Sequence, residues 1–498
     1  MGNPASRCKS NHEGDDGSPD SHDRGFGSRL GITPAWARLC ERFRWVDQPD
    51  GTRKRHRQAI PRLGGVAIVI AYASAYWIVE LLWDLPAWPN SASLPGQLAP
   101  AAAVILWTGI LDDLWELRPW EKVLGQTTAA LLACWGDIRV DTWFGWHLPE
   151  GLSIAVTVFW LLLATNAFNL IDGLDGLAAG LGLLASMAMC LAGLVQPDPG
   201  LVLATAPLAG ALAGFLRYNF APASVFLGDS GSLVVGFLIG SYAVIWTQKS
   251  AATVGLLVPA MLLAVPLVDT CLAIVRRLII GQSLFEADAR HIHHRLLERG
   301  LTVRDTVLGL YAAAVLGASL SLAASLLRGH AAGVTVLLFL IFTVLGVRAL
   351  AYPELASLAE LIGKGELQRW IRVHARLKEL EEQLVRTTDA TMRWRLIHQA
   401  MRELQIEPSR LVAPLPAAST DRHEKAVAVA VKRMGTPRIG VGFSVEASSL
   451  VPSVSYLASV AGLARLTSTY LQDTHEPRIA DLEAGGAQPA VVAPSSKA

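Results

Sequence analysis

Residues 151–195 read GLSIAVTVFWLLLATNAFNLIDGLDGLAAGLGLLASMAMCLAGLV. Two apolar runs, 151–168 and 174–195, meet at a polar stretch that overlaps their ends and carries Asn166, Asn169, Asp172 and Asp175. A helix needs about 20 apolar residues to cross the hydrocarbon core of a bilayer. The stretch therefore reads as two membrane spans joined by a turn rich in carboxylates and amides. Working outward, further apolar runs lie at 63–83, 97–111, 122–136, 200–216, 231–247, 252–275, 306–327 and 331–350, about ten in all. The fold class expected is an all-α polytopic membrane protein.

The composition agrees. Over 498 residues, 52% are hydrophobic and only 17% charged, against roughly 25% charged in a soluble domain. With 43 basic and 42 acidic residues the formal charge is +1, so no global field recruits nucleic acid and any electrostatic function is local. The five cysteines are scattered with no Cys-x-x-Cys pair, which argues against a disulfide framework and a zinc knuckle.

Orientation follows from charge. If the basic segment Arg53 to Arg62 is cytoplasmic, alternate loops on the same side hold Arg118 and Lys122, then Arg217, then Arg276, Arg277, Arg290, Arg295 and Arg299. The opposite loops hold little beyond Arg139, Lys249 and Arg328, and positive charge marks the cytoplasmic side. Both termini are then cytoplasmic. Residues 1–45 read as a polar disordered segment and 46–352 as the membrane domain. Residues 353–475 read as a largely helical cytoplasmic extension with one or two amphipathic helices and a small mixed segment near 423–472, and 476–498 as a disordered tail.

Four loops on one face carry candidate chemistry. In ILDDLWELRPWEK, Asp112 and Asp113 end one span and Lys122 begins the next; carboxylates at a membrane surface are costly unless solvated, paired or metal-bound. Asn166, Asn169, Asp172 and Asp175, spaced by three, would share one helical face and offer the oxygen set that a hard cation such as Mg²⁺ prefers. Asp229, in FLGDSGS, opens another span, where free backbone N–H groups can face a phosphate while the carboxylate holds a metal; a plain helix cap is the alternative. In ADARHIHHRL, His291, His293 and His294 are a quarter of the 12 histidines and stand beside Arg290. Imidazole and guanidinium donors suit a pyrophosphate better than adjacent histidines suit zinc.

Together with VDQPDGTRKRHRQAIPRLGG before the first span, these motifs in this order resemble the polyprenyl-phosphate N-acetylhexosamine-1-phosphate transferase family over about residues 46–350. The resemblance implies a UDP-N-acetylhexosamine donor, an undecaprenyl-phosphate acceptor, Mg²⁺ (with Mn²⁺ as a substitute) and release of UMP in a bacterial plasma membrane. The His-x-His-His form looks like the branch that primes cell-envelope glycans with N-acetylglucosamine phosphate. The branch that takes UDP-muramoyl-pentapeptide ranks second, and a transporter or ion pathway is the alternative of a different class. Two features depart from the family pattern: residues 1–45 hold no span of the kind members commonly carry there, and the extension after 352 has no counterpart.

On that resemblance Asp229 is the chief metal ligand and Asn169 a second, and Arg290, His291, His293 and His294 contact pyrophosphate. Lys54, Lys122 and Arg53 steer the lipid phosphate, Asn166 contributes to substrate binding, and Asp172 and Asp175 sit at the nucleotide end. A phosphomonoester with a second pKa near ~6 is largely dianionic at neutral pH. Asp112 and Asp113 are accordingly expected to organise charge during a direct displacement rather than to serve as an essential base. Membrane lipid is a further partner, and the sequence leaves room for a homodimer and for a partner of unidentified kind at the extension.

Overall fold

A computed structural model describes residues 31–47, 59–82, 94–143, 146–249, 256–280, 291–327, 330–350, 367–387 and 389–403. The elements run α1 (Ile32–Phe43), β1 (Val46–Asp47), β2 (Ile60–Pro61), α2 (Gly64–Leu82), α3 (Leu94–Trp115), α4 (Pro119–Trp135), β3 (Thr142–Trp143), β4 (Trp146–His147), α5 (Glu150–Ile171), α6 (Leu177–Val195), α7 (Pro199–Asn219) and α8 (Gly228–Lys249). After these come α9 (Leu257–Leu262), α10 (Ala264–Ile280), α11 (Ile292–Glu298), α12 (Val303–Leu326), α13 (His330–Ala349), α14 (Leu367–Arg386) and α15 (Ala390–Glu403). The two antiparallel ladders pair Val46 with Pro61 and Thr142 with His147. The chain divides into two compact units, Met1–Cys271 with Ala289–Gly346, and Leu272–Asp288 with Val347–Ala498.

The chain is an all-α polytopic membrane protein. Among the described residues eight helices are long and apolar enough to cross a bilayer, namely α2, α3, α5, α6, α7, α8, α12 and α13. The other two stretches read from the sequence take different forms. Residues 122–136 fall in α4, whose 17 residues extend about 26 Å at 1.5 Å per residue. Residues 252–275 are interrupted, because α9 stops at Leu262 and α10 restarts at Ala264, with Pro259 and Pro266 removing backbone donors on either side.

The first unit is organised around α8, of whose apolar stretch 94% is buried, against 17% for α13. Its small residues permit this. A Cβ at Gly236 would lie 2.9 Å from the Ala164 carbonyl, and one at Gly240 would lie 2.9 Å from the Ala164 methyl, so α5 and α8 approach backbone to backbone. The Trp160 indole N–H donates to the Gly240 carbonyl at 3.0 Å, and the Tyr72 and Tyr242 hydroxyls meet at 2.5 Å to join α2 to α8. In a bilayer, lipid tails are as apolar as leucine, so close packing and interhelical hydrogen bonds carry the association of spans. Tryptophans 115 and 120 are exposed at one end of the bundle and tryptophans 135 and 146 at the other, the pattern of two interfacial belts.

One expectation is corrected at the N-terminus. Part of the stretch read as disordered, Ile32–Phe43, is helical, with Thr33, Pro34, Ala37 and Cys40 buried on one face. The Trp36 indole N–H donates to the Leu63 carbonyl at 2.9 Å, so tertiary contact holds a helix too short and too polar to register as a span. In the second unit, the charged stretch read as one or two amphipathic helices forms α14 and α15. They pack on each other through Leu380, Leu384, Ile397 and Ala400, and the Arg376 guanidinium donates to Glu403 at 2.6 Å. The mixed segment near 423–472 and the tail lie outside the described residues.

Replacing Gly240 by Leu should overpack the α5–α8 contact and cost about 1–3 kcal/mol, lowering the thermal unfolding midpoint in detergent. Gly214→Leu, where a side chain meets nothing within 4 Å, should leave the midpoint in place.

Candidate active site

The C-terminal ends of α3, α5 and α7 and the N-terminal ends of α4, α8 and α12 meet at one end of the first unit, around a cavity of about 1120 Å³. Asp112, Asp113, Lys122, Asp172, Asp175 and Asp229 all line it. Four of the sequence-derived motifs thus contribute to one space, the hairpin at Arg62 included.

Asp113 closes the N-terminus of α8. Its Oδ1 accepts from the Asp229 backbone N–H at 2.8 Å and its Oδ2 from the Ser230 N–H at 2.9 Å. A carboxylate there satisfies two of the orphan donors and faces the positive end of the helix dipole. The preceding Gly228 has φ of 71°, and a Cβ on it would stand 2.7 Å from Asp113 Oδ2, so glycine serves both the turn and the close approach. The expectation that these N–H groups are free for phosphate is therefore corrected: Asp113 takes two of them.

Lys122, from the first turn of α4, bridges the two carboxylates that flank the cap. Its ammonium pairs with Asp112 and donates to Asp229 Oδ2 at 2.9 Å. Asp112 Oδ1 also accepts the Leu117 N–H at 2.9 Å, which ties the carboxylate to the loop after α3. Asp229 Oδ1 accepts the Asn169 amide N–H at 2.7 Å, and the same amide reaches the Ser232 hydroxyl at 3.1 Å. Lys122 is thus held by protein carboxylates, with one of its three donors left over.

The four residues at three-residue spacing do not share a face. The helix ends at Ile171, and each of the four turns to a different neighbour. Asn166 pairs with Gln126 of α4, amide to carbonyl at 2.6 Å, and Asn169 faces α8. Asp172 caps α5 and looks into the cavity. Asp175 Oδ2 accepts the Ala223 N–H at 2.9 Å and so pins the loop after α7. Burial drives the Asp172 carboxyl well above the ordinary carboxylate range, and the charges of Asp229, Asp113 and Asp175 push it further the same way.

The histidine cluster is built on a residue the sequence reading passed over. Asp269, 1% exposed in the middle of α10, accepts from the Ile292 N–H at 2.7 Å and meets His291 Nδ1 at 2.9 Å. The carboxylate fixes the proton on Nδ1 and orients the buried ring. A lone Asp in the apolar run LLAVPLVDTCLAIV was the available signal, since such a charge requires a partner. The His291 and His293 rings lie parallel, 3° apart at 5.7 Å, and His294 stands 4.3 Å beyond. His293 lies against Gly173, where a Cβ would be 2.5 Å from its Nε2. Burial and the adjacent His294 lower the His293 pKa to about 4, so it stays neutral near pH 7 and cannot donate from both nitrogens as expected.

Asn166, Asn169 and the three histidines are not among the described residues lining the cavity, whereas Arg62, Asn219 and Arg304, also missed in the sequence, are. Arg62 pairs with Asp47 across the β1–β2 hairpin, and Arg304 Nε donates to the Ala221 carbonyl at 3.1 Å. Arg53, Lys54 and Arg290 lie outside the described residues.

A family described as Glycosyl transferase family 4 matches residues 97–247. Over 316 residues the chain is 33% identical to a "Probable undecaprenyl-phosphate N-acetylglucosaminyl 1-phosphate transferase" of Bacillus subtilis, covering 62% of this chain and 84% of that protein. It is 36% identical over 303 residues to a "Decaprenyl-phosphate N-acetylglucosaminephosphotransferase" of Mycobacterium leprae, covering 55% and 75% respectively. To the "Undecaprenyl-phosphate alpha-N-acetylglucosaminyl 1-phosphate transferase" of Escherichia coli K12 it is 28% identical over 297 residues, 58% of this chain and 78% of that one.

Asp113→Ala should remove both cap acceptors and destabilise the protein by about 1–2 kcal/mol, with faster amide exchange at Asp229 and Ser230. Asp113→Asn, which keeps one acceptor, should fall between Ala and the native residue in both measurements.

Proposed function

Since the chain belongs to the polyprenyl-phosphate N-acetylhexosamine-1-phosphate transferase family, the glycosyl transferase family 4, we propose that it moves N-acetylglucosamine-1-phosphate from UDP-N-acetylglucosamine to undecaprenyl phosphate on the cytoplasmic face of a bacterial membrane. A lipid-phosphate oxygen attacks the β-phosphorus of the UDP-sugar, the new P–O bond forms as the bond to the bridging oxygen breaks, and UMP leaves. The supporting observation is the cavity at one end of the bundle where Asp112, Lys122 and Asp229 are in contact and Asp172 faces them. The names of the relatives support the sugar and the lipid class. Acids at span ends on one face support a transferase over an ion pathway, which would need them at mid-membrane.

The donor set suits Mg²⁺. Asp112, Asp113, Asp172 and Asp229 bring four carboxylates against the single ammonium of Lys122, and the neighbouring carboxylates add to burial in raising the Asp172 carboxyl. Among the described residues no three His, Cys, Asp or Glu side chains form a preformed cage. Mg²⁺ is commonly held by one or two carboxylates together with substrate phosphates. Asp229 is the proposed ligand, and Asn169 a second through the amide oxygen left over when its nitrogen faces Asp229. Bound there, Mg²⁺ or Mn²⁺ neutralises phosphate charge.

The chain's own groups do the rest by position. Lys122 holds Asp112 and Asp229 at fixed separation and keeps one donor for a phosphate oxygen. Asp113, with both oxygens accepting backbone N–H groups, is poorly placed to attack phosphorus. Asp112 is tied to Leu117 and Lys122. Both engagements support single displacement over a phospho-aspartyl intermediate. His291, oriented by Asp269, would donate to pyrophosphate through Nε2 only with both ring nitrogens protonated, while Asp172 and Asp175 hold the nucleotide end.

Transfer of radiolabelled sugar phosphate into an organic-extractable lipid should require the divalent ion, stop with EDTA and resume on adding Mg²⁺. Asp229→Asn should reduce the rate on the order of 10²-fold or more, as loss of a charge-stabilising group does. Transfer that persists in EDTA would remove the metal from the scheme, and a phosphate trapped on Asp112 or Asp113 would replace single displacement.

A further inference from the structure

The helix α1 has three sides with three different characters. Thr33, Pro34, Ala37 and Cys40 form the buried side, packed on α2, α7 and β2. Ile32, Leu39 and Phe43, with Trp36 between them, follow the spacing i, i+4, i+7, i+11 and make an apolar stripe of which Ile32, Leu39 and Phe43 are 37%, 37% and 55% exposed. Arg38 and Arg42 lie on the third side, exposed, with Arg44 just beyond the last turn. An apolar stripe left uncovered on a soluble surface is unfavourable. Twelve residues extend only about 18 Å, well short of a bilayer's hydrocarbon core.

The position of α1 supplies the missing partner. The Trp36 indole donates to Leu63, the residue before the first span, and the Cys40 thiol reaches the Arg62 carbonyl at 3.5 Å. The helix therefore lies beside the active-site end of α2, whose outer surface shows Ile70, Trp77 and Ile78 to the surroundings. That apolar surface is continuous in kind with the α1 stripe, and three arginines beside it match anionic headgroups. An amphipathic helix with these faces lies in the interfacial plane.

We propose that α1 is an in-plane anchor that rests in an anionic lipid surface on the active-site side of the bilayer, with Ile32, Leu39 and Phe43 in the acyl region and Arg38, Arg42 and Arg44 at the headgroups. Through Trp36 and Cys40 it holds the strand that carries Arg62 into the cavity, so lipid contact and the cavity wall are one piece of structure. The assignment rests on α1 alone and stands whatever substrate the cavity takes.

The test uses the full chain in nanodiscs, with a fluorescent amino acid placed at residue 38, 39, 42 or 43. Probes replacing Leu39 and Phe43 should be quenched severalfold more by nitroxide-labelled lipids than by aqueous iodide, and probes replacing Arg38 and Arg42 the reverse. Phosphatidylglycerol in place of phosphatidylcholine should increase lipid quenching at Leu39, and Arg38→Glu with Arg42→Glu should abolish that increase. Iodide quenching at Leu39 equal to that at Arg38 would overturn the proposal. Shielding of Leu39 and Phe43 from both quenchers would also overturn it, because it would mean a protein surface covers the stripe. Lipid quenching that ignores headgroup charge would overturn the anionic part. The readout is independent of turnover and is taken on protein that retains its elution volume.

Discussion

The carboxylate of Asp113 at the N-terminus of α8 is the contact on which the rest of this end of the molecule depends. Two backbone donors of a nearly fully buried helix would otherwise be left without a protein partner, and α3 supplies the acceptor from a distance of more than a hundred residues in sequence. The same bond sets where Asp229 points, since Asp229 is the first residue after the capped Gly228. The position of the proposed metal ligand is thus a consequence of helix capping, and the adjacent acids Asp112 and Asp113 separate into two roles. One is directed at Lys122 and the cavity, and the other is spent on the fold.

That division explains how so much negative charge is tolerated. Asp113 is balanced by a helix dipole and two N–H donors, Asp112 and Asp229 share Lys122, Asp175 pins the Ala223 amide, and Asp269 is paired within the histidine cluster. Asp172 has no comparable compensation among the described residues, and burial, with the neighbouring carboxylates, raises its pKa. In the proposed reaction a cation and a pair of phosphates would meet a site whose charge is already ordered, so part of the reorganisation that opposes phosphoryl transfer in water would be done in the folding.

The spans and the clustering of their loops at one end were legible because hydrophobic length and loop order are local properties of the chain. The direction of individual side chains was not. Asn166 and Asn169 sit three residues apart on one helix, yet they turn to α4 and α8, because the packing of neighbours decides which face is met. Regular spacing suggested one cation site; the end of α5 at Ile171 dispersed it. Asp113 could not be told from Asp112 in sequence, as only the tertiary approach of Gly228 distinguishes them. The helix α1 is not legible by hydrophobic length because its buried side holds small residues and arginines separate its apolar residues along the sequence. Its pattern is amphipathic over only twelve residues, and no continuous apolar run marks it.

The packing of α8 carries the argument from fold to chemistry. Small residues along its length let its neighbours approach closely, α5 at Gly236 and Gly240 and α2 where Gly65 meets Gly231, and the Tyr72–Tyr242 hydroxyls join α2 to α8. Close approach fixes the helix along its axis and in rotation, and the first turn, with Asp229, Ser230 and Ser232, inherits that fixity. Asn169 belongs to α5, so the contact that packs α5 on α8 also brings its amide to Asp229 at 2.7 Å. A shift of α8 by a fraction of a turn would break the cap, the Asn169 hydrogen bond and the lysine bridge together. Close packing in the apolar middle of the membrane is therefore a condition for the geometry of charge at its surface.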